Sequence, residues 1–404
     1  MNSKIAQAYT NLKSRYNVDF FLVLILFCHA LWVLVPPFMD FETGGLTEKP
    51  HQSDFISFWS AARFALEGNA LDAYNSEFLK EFQGTVIGFD DPGSLLDWLL
   101  PPVGFFLFLP FALLPYSLAR FVWIGVTLAA YALVAWKINS RRTALLAALA
   151  APALAYNCIF SQTGALSAAL LGGAVILLPK KPVYAGICIS FLIFKPQLGV
   201  LIPFALIAGR HWRALGAASV ATLVLGCAAT YCFTPQSWTS FYDALQRTVD
   251  INLLSSSAIH GIMQTPYSLI WLATGNAGFA GIVQFIFVFI GLLAVIWVWK
   301  DAYSSELKGA VLIVAVAATT FYFQIYEFPM LIIASLLIVR EGHKDGFLFL
   351  EVDLMVLSAF IPYFYMISDY PLGLISIAIM VFIVARRVLH EHKRMLDIEL
   401  PSCI

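Results

Sequence analysis

The sequence predicts an all-α polytopic membrane protein, a multispan helical bundle of about 12 transmembrane helices with loops and interfacial helices on one face. Three observations predict it. Hydrophobic residues make up 60% of the 404 positions and charged residues only 12%, whereas soluble domains sit near ~45–50% and ~25%. The mean hydropathy is +0.80, and the apolar residues gather into about a dozen runs of roughly 12–22 residues, the longer of them near the length that crosses a bilayer. The charges, which sum to only -1, cluster in the short loops between those runs. No basic stripe with interleaved aromatics is present, so nucleic acid is excluded as a partner. Cys28, Cys158, Cys188, Cys227, Cys232 and Cys403 show no CxxC spacing and read as small buried hydrophobes rather than disulfides or metal ligands.

Taken in order, Lys4, Lys13 and Arg15 precede a first run over 18–35, which ends at Pro36-Pro37 without a small-residue cleavage site. It is expected to stay as an anchor, with the N-terminus cytoplasmic. Residues 37–101 form the first outer loop. The run 102–114, interrupted by Pro110 and closed by Pro115, is expected to lie in or dip into the outer interface. If it crossed as well as 119–136, the basic 137–142 loop would land outside, against the positive-inside rule. Further runs follow at 142–157, 163–178, 183–194, 198–209, 213–233, 278–299, 308–325, 328–339, 347–366 and 371–386. This order puts Lys180-Lys181, Arg210, Arg213, Lys300, Lys308, Arg340, Lys344 and the 386–394 tail on the cytoplasmic side, so both termini are expected there. The outer side receives the 37–101 loop, Gln162, Lys195, a long 234–276 loop, Tyr326-Glu327 and Asp369. No internal repeat divides the chain, which reads as one integral membrane domain over 1–404.

Few residues in such a chain can carry chemistry. Asp54 stands before Phe55, Phe58 and Trp59. It fits two roles, an N-cap for a helix running to Glu67 and closed by Gly68-Asn69, or a partly desolvated general base. Lys195, in Lys195-Pro196-Gln197, breaks a pair of runs too short for straight spans. Non-helical backbone at membrane depth is tolerated where it lines a cavity. An ionised lysine there costs about 2.5–3.5 kcal/mol even on lenient insertion scales, so it either has a partner such as a phosphate or snorkels to the headgroups. Gln162 and Gln197 either hydrogen-bond a sugar or bridge helices. Glu327 either orients a substrate hydroxyl, pairs with Arg63 or Lys195, or is a solvated loop acid. His260 is a lone histidine on the outer loop, and Glu351 with Asp353 reads as a cytoplasmic interfacial face. No Walker, GxSxG or HExxH motif occurs.

The order Asp54-Phe55, Phe58-Trp59-Ser60-Ala61-Ala62, Leu66-Glu67-Gly68, Tyr74, Leu100-Pro101-Pro102, Pro110, Leu114-Pro115, Ser161-Gln162, Lys195-Pro196-Gln197, Gln264-Thr265-Pro266-Tyr267-Ser268, Gly275, Gln284 and Tyr326-Glu327 resembles glycosyltransferase family 87. These are membrane enzymes that use polyprenyl-phosphate sugars, typified by α-mannosyltransferases. The resemblance covers residues 50–330 and implies a GT-C-type bundle with its active site on the outer face of a bacterial cytoplasmic membrane. It implies Asp54 as the base and Lys195 with Gln197 near the donor phosphate. One departure stands out, since the family's later motif commonly reads Tyr-Asp and here is Tyr326-Glu327.

The expected reaction is an inverting transfer of a sugar, mannose by the resemblance, from a polyprenyl-phosphate donor to a glycolipid or glycan acceptor, with membrane lipids as further partners. Lys195 and Arg63 are expected at the leaving phosphate, and Gln162 and Gln197 at the sugar. Tyr326, Glu327, His260 and Trp59 are expected to orient substrate, Trp59 with Phe105, Phe106 and Phe108 lining a lipid groove. No metal or other cofactor is expected. The rival reading is a transporter or flippase of a lipid-linked sugar, for which broken helices around a mid-membrane lysine would serve.

Overall fold

A computed structural model describes residues 18–35, 53–88, 95–249, 257–367 and 370–399. Lys4, Lys13, Arg15, Cys403, Asp369 and, of the expected 37–101 loop, all of 37–52 and 89–94 lie outside the described residues. Among those described, the chain is α-helical throughout and carries no strand, only an isolated bridge between Met263 and Gln324.

Among the described residues, four helices are long and apolar enough to cross a membrane. They are α5 (Tyr116–Ile138), α11 (Trp212–Phe233), α15 (Ala277–Lys300) and, for its apolar part Gly373–Leu396, α19 (Gly373–Glu399). The expected span at 142–157 is instead a bent pair, α6 (Arg142–Leu149) and α7 (Pro152–Phe160), with 48° between the two. Pro152 starts the second piece at a position where its missing N–H costs nothing, and it forbids a continuous helix through Ala150-Ala151. Counting that pair as one span brings the number to 5.

The remaining apolar runs make shorter helices. The first, α1 (Val18–Leu34), is followed by the outer insert, where α2 (Phe55–Leu66) and α3 (Ser76–Ile87) form. Then comes α4 (Gly104–Ala112), whose nine residues span only about 14 Å. It packs on α2. Pro110, expected to interrupt the run, lies inside this helix near its end, where few i→i−4 bonds remain to be lost, and the helix stops before Pro115. α8 (Gly164–Leu177) and α9 (Pro182–Phe191) follow. Between α9 and α10 (Ile202–Ala208) two 3₁₀ turns, Leu192–Phe194 and Pro196–Leu198, bracket Lys195. The 234–276 segment is helical where described, with α12 (Gln236–Thr248), α13 (Ser257–Ile262) and α14 (Pro266–Thr274). α16 (Ser305–Thr319) and α17 (Pro329–Asp345) flank an extended stretch and the 3₁₀ turn Ile325–Glu327. Last before α19 is α18 (Glu351–Phe360).

Burial sorts these helices from the inside out. α8, α16 and α17 form the centre, their alanines, valines and leucines almost wholly enclosed. α1, α11 and α15 turn rows of large hydrophobics outward, among them Phe20, Phe27, Val220, Leu223, Phe285, Phe289 and Ile290. An apolar surface of that extent needs lipid against it. With no hydrophobic drive between helices in lipid, small residues set their approach. A Cβ on Gly186 of α9 would meet the Ala214 carbonyl of α11 at 2.5 Å. A second cluster, rich in rings, joins α2, α4 and the start of α5: Phe55, Phe58, Trp98, Phe105, Phe108 and Trp123. Phe58 stacks on Phe108 at 4.7 Å and Trp98 on Phe105 at 5.0 Å. The described part of the insert is thereby a packed cap on the bundle, and Asp54 sits where the cap meets it.

Candidate active site

Asp54 occupies the N-cap position of α2, but its side chain makes no capping bond, and Ser53 turns its hydroxyl to Tyr116 at 3.1 Å. The capping role that the sequence left open is therefore not the one adopted. The Asp54 carboxylate, half-buried, accepts Nε2 of Gln162 at 2.9 Å. It belongs to the outer cap rather than to a spanning segment. Enclosure away from water raises its pKa to about 6, while the Gln162 hydrogen bond and the positive charge of Lys195 pull the other way. A carboxylate so tuned is ionised at neutral pH yet basic enough to take a proton.

Gln162 is delivered by a sharp turn between α7 and α8. Ser161 ends α7 at φ +53°, in the left-handed region, and is held from the α5 side. Arg120 donates through Nε to its hydroxyl at 2.8 Å and Trp123 donates Nε1 to its carbonyl at 3.0 Å. Two positions on, Gly164 starts α8 with the Tyr326 backbone against it. A Cβ there would lie 1.7 Å from the Tyr326 carbonyl oxygen, so only glycine fits. Asn157 donates Nδ2 to the same oxygen at 3.3 Å. The Gln162 turn and the Tyr326-Glu327 turn are thus locked together.

Lys195 reaches this place from the 3₁₀ break after α9. Its ammonium forms an ion pair with Oε1 of Glu327 and stands 5.0 Å from the Tyr326 ring centre. The two side chains are only 7% and 3% exposed, so Lys195 does not snorkel and Glu327 is not a solvated loop acid. The reach between 195 and 327 also settles the choice between Arg63 and Lys195 as Glu327's partner. Oε2 of Glu327 is buried with no hydrogen-bond partner among the described residues, an unspent acceptor beside the lysine. Tyr322, hydrogen-bonded to Tyr326 and to Nε2 of Gln324 at 2.7 Å, closes the cluster on the side facing Asp54.

Other expected residues fall elsewhere. Gln197 is half-buried next to Lys195. Arg63 lies nine positions along α2, paired with Glu67 at 2.8 Å and near the Ala112 carbonyl at 3.4 Å. Trp59 is buried in the cap, stacked on Phe82 and donating to the Leu114 carbonyl at 3.0 Å. Phe105 and Phe108 are equally enclosed, so these rings are packing, not groove walls. His260 stacks on Trp271 at 4.1 Å and contacts Ser268 at 3.3 Å, inside the α13–α14 packing. Glu351 is no interfacial face: it is 1% exposed and ion-paired with Arg387. Reading residues singly missed Arg120, Ser161 and Tyr322. Arg120 did carry a signal, as a guanidinium five positions into an apolar span; Tyr322 and Ser161 carried none.

An apolar groove opens near Lys195. It has a volume of about 670 Å³ and is lined by Ile193, Leu223, Cys227, Thr230, Tyr231 and Trp238 on the lipid-facing side of α11. The centre therefore offers an acceptor of protons, a buried cation beside an unspent carboxylate oxygen, and an adjoining apolar surface.

A family model described as glycosyltransferase family 87 matches residues 98–324, more than half of the 404 residues. The range includes Gln162 and Lys195 and stops short of Asp54 and Glu327. Among curated proteins, the chain is 31% identical over 147 residues to the alpha-(1->3)-arabinofuranosyltransferase of Mycobacterium tuberculosis, in both strain CDC 1551 / Oshkosh and strain ATCC 25618 / H37Rv. That match covers 33% of this chain and 34% of each relative, so the chain spans about a third of their length. No solved structure matches.

Proposed function

The chain belongs to glycosyltransferase family 87, and from that premise we propose that it moves a sugar from a polyprenyl-phosphate donor to a glycolipid or glycan acceptor with inversion at the anomeric carbon. Asp54 takes the proton of the acceptor hydroxyl as that oxygen forms its bond to the anomeric carbon. The bond from the anomeric carbon to the phosphate oxygen breaks, and polyprenyl phosphate leaves as the anion. Lys195 offsets the charge that develops on the leaving phosphate, a term that is commonly the largest in such catalysis. The apolar groove on α11 takes the first part of the lipid tail, and Gln197 meets the donor from the edge of the Lys195 turn.

The observation that carries this reading is the Asp54 carboxylate itself. It is held by Gln162 at 2.9 Å, has its pKa lifted to about 6, and lies in the field of a lysine built into a broken helix. In this reading Arg63 assists only if α2 shifts, since it is tied to Glu67. Tyr326, Glu327 and Gln162 shape the sugar site; Trp59 and His260 support it from within the packing. The positive loops at 137–142 and 180–181 support a site on the outer side of a bacterial cytoplasmic membrane, with both termini inside and about 12 crossings if the short, broken helices span in pieces. Mannose is the sugar the family resemblance suggests; the curated relatives are named for arabinofuranose.

The deciding experiment is release of polyprenyl phosphate by the purified protein in nanodiscs, with mannose and arabinofuranose donors run side by side and EDTA in a parallel series. Release with EDTA present, abolished in a folded Asp54→Asn variant, upholds the reading. Wild-type rates in Asp54→Asn overturn Asp54 as the base. Movement of intact donor across the bilayer with no release would mean a flippase instead.

A further inference from the structure

At the far end of α5 from the Asp54 cluster, about 34 Å along the helix, lies a second polar recess. Its volume is about 340 Å³ and its lining is Lys137, Ile138, Asn139, Ser140, Arg141, Arg340 and His343. It forms where α5 ends, α6 begins and the last turns of α17 pass. Arg340 donates to the Lys137 and Ile138 carbonyls at 3.4 and 3.2 Å, capping the C-terminus of α5. Its remaining charge is met by Glu306 at 3.1 Å, which also holds Lys344 at 2.8 Å.

Lys137 and Arg141 have no such counterpart, since neither has a carboxylate within 4.0 Å among the described residues. Arg141 instead lies directly against Nε2 of His343, which brings it no negative charge. The N-terminal turn of α6 has no side-chain cap; Asp19 of α1 stands beside it, accepting the Thr143 hydroxyl at 2.7 Å and lying 3.8 Å from Arg142, and leaves Lys137 and Arg141 unmatched. An independent observation points the same way. Asn139 is 7% exposed and its Oδ1 accepts the Arg141 amide at 3.2 Å. Its Nδ2 is buried in the recess wall with no partner among the described residues. A buried amide donor left idle is costly, and an acceptor bound in the recess would satisfy it.

We propose that this recess is a phosphate-binding site, with Lys137, Arg141 and Asn139 Nδ2 as its donors and α5, α6 and α17 as its frame. The phosphate is one carried by an anionic phospholipid headgroup or by free phosphate, and the position at the ends of membrane helices with basic flanks suits the former. The site stands whether or not the glycosyl-transfer reading holds, because it shares no residue with the Asp54 cluster.

The test measures thermal unfolding of the detergent-purified chain on titration with phosphatidylglycerol, phosphatidylcholine or inorganic phosphate. Wild type is compared with Lys137→Ala/Arg141→Ala and with Asn139→Ala. Lys137 and Arg141 are exposed, so the double variant keeps its fold. The expected result is stabilisation of wild type by phosphatidylglycerol but not phosphatidylcholine, with the apparent affinity falling roughly tenfold or more in the double variant. Stabilisation by phosphatidylglycerol alone assigns the lipid headgroup, and equal stabilisation by inorganic phosphate assigns the free anion. Titrations in which the double variant responds as wild type does, or in which phosphatidylcholine is as effective, overturn the site.

Discussion

Two buried ion pairs, Lys195 with Glu327 and Arg387 with Glu351, show how one chemical motif serves two ends. The second pair is complete. Its side chains are 0% and 1% exposed, Arg387 Nε donates to Oε1 of Glu351 at 2.9 Å, Nη2 meets Oε2, and Nη1 donates to the Gly346 carbonyl at 2.9 Å. The Leu348 amide adds a further donor to Oε2 at 3.1 Å. The planar guanidinium matches the carboxylate fork, and it ties α18 to α19. Lys195 and Glu327 have the same burial and none of that completeness. A point charge replaces the fork, one carboxylate oxygen is idle, and both residues sit outside the α-helices, Lys195 between two 3₁₀ turns and Glu327 at the end of a third. The difference teaches that burial alone does not mark a structural pair. A satisfied pair holds elements together, and an unsatisfied one keeps capacity for a ligand.

The largest expected effects separate the two ends. Asp54→Asn is expected to lower turnover by roughly 10²–10⁴-fold with little change in thermal unfolding, measured as polyprenyl phosphate release against a melting curve. Glu351→Gln is expected to do the reverse. Leaving Arg387 buried and unmatched destabilises by about 3–5 kcal/mol, visible as a lowered Tm, while turnover per folded molecule stays at the wild-type level. If Glu351→Gln loses turnover at constant Tm, the contrast between the pairs is broken.

Next in size, Gly164→Ala is expected to displace the Tyr326 backbone, since the new Cβ has no room before that carbonyl. Activity and stability should fall together, because one contact holds both the Gln162 turn and the Glu327 turn. Lys195→Met is expected to reduce kcat while leaving Tm within a few degrees. The methionine fills the volume of the lysine stem. A loss of Tm as large as that of Glu351→Gln would mean that Lys195 is structural after all.

Much of this contrast could be read from residue types, and some could not. Asp54, Gln162, Lys195 and Glu327 stand out because an apolar chain has few polar residues at membrane depth, and each must have a partner or a task. Their mutual pairing was only partly legible: Lys195 was among two candidates for Glu327, and Gln162 with Asp54 was not foreseen. The Arg387–Glu351 pair escaped altogether, since 36 positions separate the two and no helical period links them. Helix breaks were legible where a proline forces them, as at Pro115 and Pro196, whereas Pro110, expected to interrupt its run, lies inside α4. The one at Pro152 was passed over because hydropathy runs through it unchanged. Arg120 violates the same apolar rule as Lys195 but lies at a span's start, where a basic residue looks like an ordinary flank.

The smallest expected effect concerns the hydrogen bond that ties Gln162 to Asp54, and it gives the finest test of what the site is tuned for. A general base works only when ionised, so kcat/KM should rise with pH through the pKa of Asp54 and level off above it. With that pKa at about 6, the acid limb should be centred there and fall tenfold per unit below. The Nε2 donor of Gln162 favours the charged carboxylate and therefore holds the pKa down against burial, which pushes it up. Gln162→Leu removes the donor and adds no charge. The carboxylate then keeps its proton to higher pH, and the acid limb moves upward, whatever the lost contact to the sugar does to the plateau above it. Glu351→Gln, at the other end of the molecule, should leave the limb in place. A limb that stays put in Gln162→Leu, or moves downward, would mean that the group seen in the profile is not Asp54.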